Sequence, residues 1–252
     1  MAGVGRFADH FSGHAPDYAR FRPDYPPRLF SYLAEVSPGR RAAWDCGTGN
    51  GQAALGLARH FERVFATDPS EKQLAQARTH RRVAYSVAAA EDSGLPDGSV
   101  ELVTAAQAAH WFDRDRFWSE SRRVAVKGGV VAVWCYDLLR IAPEIDAVIR
   151  HLYSDIVGSY WPPERVLTEE RYRTIGFPFP ELEPPPLRMS KRWTLPDLLG
   201  YLHTWSSVQR YMAARGEDPV EAVRLDLARV WGPAEQARRA VWDLALRVGR
   251  TA

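Results

Sequence analysis

The sequence predicts an α/β fold: a seven-stranded, mostly parallel sheet with an antiparallel last strand, helices on both faces and a helical, aromatic-rich lid. Three observations carry this. Over residues 42–60 an apolar strand, a glycine turn and a helix start follow one another. Strand and helix patterns then alternate as far as Trp134, which argues for a parallel sheet covered on both faces. Lastly, Trp242, Leu244, Leu246 and Val248 alternate with Val241, Asp243, Ala245 and Arg247, the period of two that marks a closing strand.

Taken in order, residues 1–23 carry Phe7, Phe11, Tyr18, Phe21 and Arg22 with no clean period, and read as an arm that packs over something. Leu29, Phe30, Leu33 and Val36 then sit at helical spacing, and Ser37-Pro38-Gly39 ends that helix. The first strand closes at Asp45, and Gln52 to His60 is good helix sequence. Arg63 to Asp68 is a second strand, and Ser70 can cap a helix over Glu71–His80. Val83–Ala88 is a third strand, Pro96-Asp97-Gly98-Ser99 a turn, and Val100–Ala106 a fourth strand. Asp113 can cap a helix over Arg114–Val124. Val130–Trp134 is a fifth, fully buried strand.

After that the rhythm breaks. Ile141–Val157 reads as helix, Ser159–Pro163 as a break and Phe177–Pro186 as a proline-rich stretch. Leu187–Trp193 is a sixth strand. Leu195–Tyr211 is helical with an interruption near Ser206-Ser207, and Pro219–Val230 is a further helix. The expected division is an arm and first helix over 1–40, a core over 41–137, and a lid with closing strands of the same domain over 138–252.

Composition narrows the class. The chain has 252 residues and a net charge of +2, with no lysine or arginine run, so nucleic acid is not an expected partner. Two cysteines, Cys46 and Cys135, make no disulfide framework. With no apolar leader and no run of about 18 apolar residues, a soluble, cytoplasmic protein without a membrane partner is expected, as monomer or homodimer. No metal site is expected. Nine tryptophans, most of them after Trp111, point to aromatic surfaces in the second half.

In a doubly wound sheet, ligands lie beyond the carboxyl ends of the strands. Asp45, Asp68, Glu91, Gln107 and Tyr136 all fall at such ends. Gly47, Gly49 and Gly51 let a ligand approach the backbone, and N–H groups at the following helix start favour an anionic group. A carboxylate such as Asp45 suits an ammonium group. Asp68, about 20 residues past the loop, suits a ribose diol. The dinucleotide fingerprint is G-x-G-x-x-G, whereas this loop is G-x-G-x-G with an acid two residues before it.

That pattern resembles motif I of the class I methyltransferases, which bind S-adenosylmethionine (SAM). Asp45–Gly51, Asp68, Ala90-Glu91 with Leu95–Ser99, and Ala105–Phe112 carry the resemblance. The stretches Tyr18–Pro26 and Trp205–Tyr211 narrow it to the small-molecule group that includes the trans-aconitate methyltransferases. The resemblance implies a Rossmann-like fold and a SAM cofactor, with S-adenosylhomocysteine as product. It places Gly47, Thr48, Gly49 and Gln107 at the methionine part, Asp68 at the ribose, and Ala90 and Glu91 at the adenine, with Pro69 also in the cofactor site and Tyr18 and Arg22 closing over it.

The implied activity is methyl transfer by in-line displacement to a small-molecule oxygen. A carboxylate acceptor needs no base. A phenol or alcohol acceptor is helped by one, and His110 is then the catalytic candidate, with a pKa expected near neutrality. A positioned hydrogen-bonding or packing role is the other reading of His110. Trp111, Tyr136, Trp161, Tyr201, Trp205 and Tyr211 are expected to wall the acceptor pocket. N- or C-methylation, a non-catalytic SAM-binding protein and a nicotinamide-dependent dehydrogenase are the alternatives.

Overall fold

The computed structural model describes residues 21–252. Tyr18 and most of the arm lie outside them. The centre is an eight-stranded sheet. Its strands are β1 (Ala42–Cys46), β2 (Arg63–Asp68), β3 (Val83–Val87), β4 (Val100–Ala106), β5 (Ala125–Tyr136), β6 (Glu181–Leu182), β7 (Arg188–Trp193) and β8 (Arg238–Arg250). They run in the order β3-β2-β1-β4-β5-β8-β6, with β7 also paired to β8. The first five are parallel, and β8 is antiparallel to each of its neighbours. Strand order reverses between β1 and β4, so the crevice of this sheet opens above their carboxyl ends.

The expectation of seven strands falls one short. Pairing in the proline-rich stretch is confined to Glu181↔Gly249 and Leu182↔Val248, because proline supplies no ladder N–H. β5 is also longer than expected. It begins at Ala125 and passes Gly128-Gly129 through an irregularity, where the register against β4 jumps from Val100↔Ala125 to Leu102↔Val130.

The helices are α1 (Pro27–Val36), α2 (Gln52–Leu57), α3 (Glu71–Leu74), α4 (Arg114–Val124), α5 (Pro143–Arg150), α6 (Arg165–Glu169), α7 (Leu195–His203), α8 (Ser206–Arg215) and α9 (Pro219–Trp231). The caps at Ser70 and Asp113 form as read: each side chain accepts the N–H three residues on, at 3.3 Å. However, α3 is one turn long rather than reaching His80. The Arg78 carbonyl accepts from the Tyr85 hydroxyl (3.1 Å) and the His80 carbonyl from the Val83 N–H (2.9 Å), so the chain turns straight into β3. Likewise α2 stops at Leu57. The stretch read as helix over 141–157 splits into α5 and a π-helical segment, His151–Ile156.

The sheet separates two apolar layers. Along β5, Val130, Ala132, Trp134 and Tyr136 face one layer, and Val131, Val133 and Cys135 face the other. The first layer takes Leu29, Phe30 and Leu33 of α1 and Ala53, Ala54 and Leu57 of α2. It runs on without a break into Ile145, Leu198, Leu227, Trp193 and Trp242. The second takes Phe117, Trp118 and Val124 of α4 together with Tyr172. Each large apolar side chain buried this way contributes about 1.5–3 kcal/mol. Among the described residues no helix is long and apolar enough to cross a membrane.

Candidate cofactor and acceptor site

The turn after β1 is held from within. Asp45 is fully buried. One carboxylate oxygen accepts the Thr48 hydroxyl at 2.5 Å and the other the Thr104 hydroxyl at 2.8 Å. Burial pushes its pKa up to about 6, against the pull of those hydroxyls and of the Ala54 N–H in α2. The anion at the start of α2 is therefore the protein's own. Each Asp45 oxygen thus accepts a hydroxyl from within the chain.

The glycines are required by both conformation and space. Gly47 (φ +62°) and Gly51 (φ +82°) adopt left-handed backbone. A Cβ on Gly47 would lie 2.7 Å from Ala108 Cβ, and one on Gly51 would lie 2.3 Å from the Tyr85 hydroxyl. At Gly49 a Cβ would meet nothing closer than Gln73 Oε1 at 3.8 Å, so this stretch of backbone is open to a ligand.

Asp68 ties that loop to the next. Its carboxylate accepts the Gly49 N–H (2.8 Å) and the Ser70 N–H (2.9 Å). A carboxylate offers about four lone-pair sites, so a diol can be accepted beside these two bonds. Pro69 is half-buried next to it. Ala90 is buried, and Glu91 accepts the Asp113 N–H at 2.8 Å, bracing the start of α4. The same loop is anchored where Glu120 accepts the Ser93 N–H (2.8 Å) and hydroxyl (2.5 Å). Burial would raise Glu120, but hydrogen bonds from Arg123 and Ser93 overcome it and hold the carboxyl at about 2. Gln107, at φ +54°, accepts the Tyr136 N–H through Oε1 at 2.8 Å and locks the ends of β4 and β5 together.

Arg22 joins the arm to the lid. It donates to the Tyr136 hydroxyl (3.0 Å) and the Thr204 carbonyl (3.1 Å), and its guanidinium lies 5.3 Å from the Tyr201 ring centre. Gln52 donates to the Pro23 carbonyl at 2.8 Å and fixes the base of the arm to α2.

His110 is where expectation and structure diverge most. It sits in a 3-10 turn after β4, only 6% exposed, with Nδ1 at 2.8 Å from the Tyr172 hydroxyl. Burial, and then the Arg165 charge, push its pKa down to about 3 instead of leaving it near neutrality. It is a neutral ring at physiological pH.

The predicted aromatic wall divides. Tyr201 and Trp205 are buried in the core: Tyr201 packs 4.9 Å from Trp193 and 5.7 Å from Trp242. Trp161 packs with Tyr153 (4.8 Å) and Trp205 (5.7 Å), with Arg165 4.7 Å above its ring. Tyr211 pairs with Tyr160 at 5.0 Å, and Trp111 with His110 at 4.8 Å. Tyr136 is buried under Arg22.

Sequence reasoning passed over Thr104, Arg165 and Tyr172. Thr104 lies mid-strand, and the other two lie in a segment with no period. Only the cluster of aromatics and arginines between Tyr153 and Tyr172 marked that segment out.

The site fits SAM by its own features: open backbone at Gly49, a carboxylate with spare acceptor sites at Asp68, and cations and rings at the arm and lid. A family model for the methyltransferase domain matches residues 44–133. A Dictyostelium discoideum protein named as a methyltransferase is 33% identical over 230 residues, covering 90% of this chain and 88% of its own. A Saccharomyces cerevisiae protein named as an S-adenosylmethionine-dependent methyltransferase is 29% identical over 156 residues, 57% of this chain and 54% of its own. A solved structure from Anaeromyxobacter dehalogenans, named as a type II methyltransferase, superposes with a TM-score of 0.86 at 53% identity and covers 91% of this chain and 98% of its own. The chain thus belongs to the class I S-adenosylmethionine-dependent methyltransferases.

Proposed function

We propose that this methyltransferase alkylates an oxygen of a small molecule, and that the oxygen belongs to a carboxylate. The observation that carries the reading is His110. A ring whose pKa lies at about 3 is a poor base at neutral pH, where transfer to a phenol or alcohol gains from one. A carboxylate is already ionised. Arg165 supports the same choice, because its charge reaches His110, Cys135 and Tyr172. A planar guanidinium binds a carboxylate through two parallel hydrogen bonds.

SAM supplies an activated sulfonium methyl, so the chain's task is alignment and exclusion of water. In this reading Gly47, Thr48, Gly49 and Gln107 hold the methionine portion. Asp68 with Pro69 holds the ribose, and Ala90 with Glu91 flanks the adenine. Tyr18 and Arg22 close the arm, while Trp111 and Trp161 face the acceptor beside Arg165. Asp45 serves this site by fixing the glycine turn.

A panel of mono-, di- and tricarboxylic acids, phenols and amines incubated with SAM tests this, with S-adenosylhomocysteine followed by mass spectrometry. Turnover on carboxylic acids, giving base-labile esters, supports the reading. Turnover confined to phenols or amines refutes it.

A further inference from the structure

Tyr172 is an unusual residue in an unusual place. It is completely buried, yet its backbone and that of Arg171 both adopt left-handed conformations, at φ +58° and +57°. Neither is glycine, and two such residues in succession are strained. The strain is held in place by bonds on both sides. The Tyr172 N–H donates to the Leu167 carbonyl at 2.8 Å, and Arg247 donates to the Tyr172 carbonyl at 3.1 Å. What the turn achieves is to carry the phenol across to the end of β4, where its oxygen meets His110 Nδ1 at 2.8 Å.

The direction of that hydrogen bond follows from the surroundings. Among the described residues, His110 Nδ1 is the one acceptor within hydrogen-bond reach of the Tyr172 hydroxyl. Burial keeps the phenol protonated, so its one proton is left to donate to Nδ1. A neutral imidazole that accepts at Nδ1 carries its own proton on Nε2. Among the described residues, no hydrogen-bond partner lies at Nε2.

We propose that Tyr172 is a positioning residue that locks His110 in the Nε2–H tautomer, so that the ring offers the acceptor site a hydrogen-bond donor. The role in turnover rests on the reading of His110 as facing the acceptor; the tautomer itself does not. The charged and titratable groups around the ring are Tyr172, Arg165 of α6 and, beyond the phenol, Cys135 of β5. None of them offers His110 a carboxylate, so nothing draws a second proton onto it.

The test is long-range proton–nitrogen NMR on the full chain labelled with nitrogen-15 histidine, with His110→Gln assigning the signal. The expected wild-type result is a neutral Nε2–H ring from about pH 5 to 8. Tyr172→Phe is expected to give a mixture of tautomers or a ring that begins to titrate in that range. An Nδ1–H ring in the wild type overturns the proposal, as does a Tyr172→Phe spectrum identical to it. Should Tyr172→Phe fail to fold, the wild-type tautomer decides alone. Kinetics separate this from the proposed function: a changed tautomer with unchanged kcat/KM refutes the placement of His110 at the acceptor and leaves the lock standing.

Discussion

Replacing Asp45 by asparagine isolates one buried charge. Raising this carboxyl from 3.8 to about 6 places a penalty of about 3 kcal/mol on its ionised form. A group whose pKa is higher in the folded state binds more protons there than in the unfolded chain. Its stabilisation is full below pH 3.8 and is lost as pH rises through about 6. Between pH 7 and 5 the wild type should therefore gain roughly 1.3 kcal/mol over Asp45→Asn. The raw wild-type curve will hide this gain. His110, depressed from 6.5 to about 3, runs the other way: its stability is present above 6.5 and falls by about 2 kcal/mol over the same interval. The difference between the two proteins cancels His110. Urea unfolding of both at pH 5, 6, 7 and 8 gives that difference directly. Parallel curves would mean that Asp45 ionises as freely as in water, and the account of the glycine turn as a self-capped loop would fail.

Three further outcomes are expected. Asp68→Ala removes the acceptor for the Gly49 and Ser70 N–H groups and should weaken SAM at least about tenfold by calorimetry; equal affinity would remove Asp68 from the cofactor site. Gly51→Ala forces a side chain at φ +82° to within 2.3 Å of Tyr85 and should cost about 1–3 kcal/mol, partly restored by Tyr85→Ala; an unshifted melting temperature would contradict the geometry. Arg165→Met should raise the KM for a carboxylic-acid acceptor about tenfold while leaving SAM affinity unchanged; an unchanged KM would separate Arg165 from the acceptor.

Much of the cofactor half was legible because its signals are local. A strand that carries Asp45 near its end, a left-handed turn that needs glycine, and caps at Ser70 and Asp113 are decided by residues three or four apart. What the sequence hid depends on distance along the chain. The Thr104 hydroxyl that braces Asp45 could not be read locally, because it lies 59 residues away. Nor could the sequence choose between a base and a hydrogen-bonded role for His110, because the Tyr172 hydroxyl that meets its Nδ1 lies 62 residues on. Tyr172 itself gave no turn signal, since tyrosine has no preference for the conformation it adopts. β6 escaped because a two-residue strand among prolines has no alternation to read.

The position of β8 bears on how the protein is made. Residues 238–250 pair with β5 on one side and with β6 and β7 on the other. During synthesis β1–β5 emerge first, and the flank of β5 stays unsatisfied while about a hundred more residues are translated. An open strand edge is a template for association with other chains, and such partners, distant in sequence, are slow to meet. The nascent chain therefore passes through a stage at which ribosome-bound copies can pair through β5, and chaperone demand should peak before residue 238 leaves the exit tunnel.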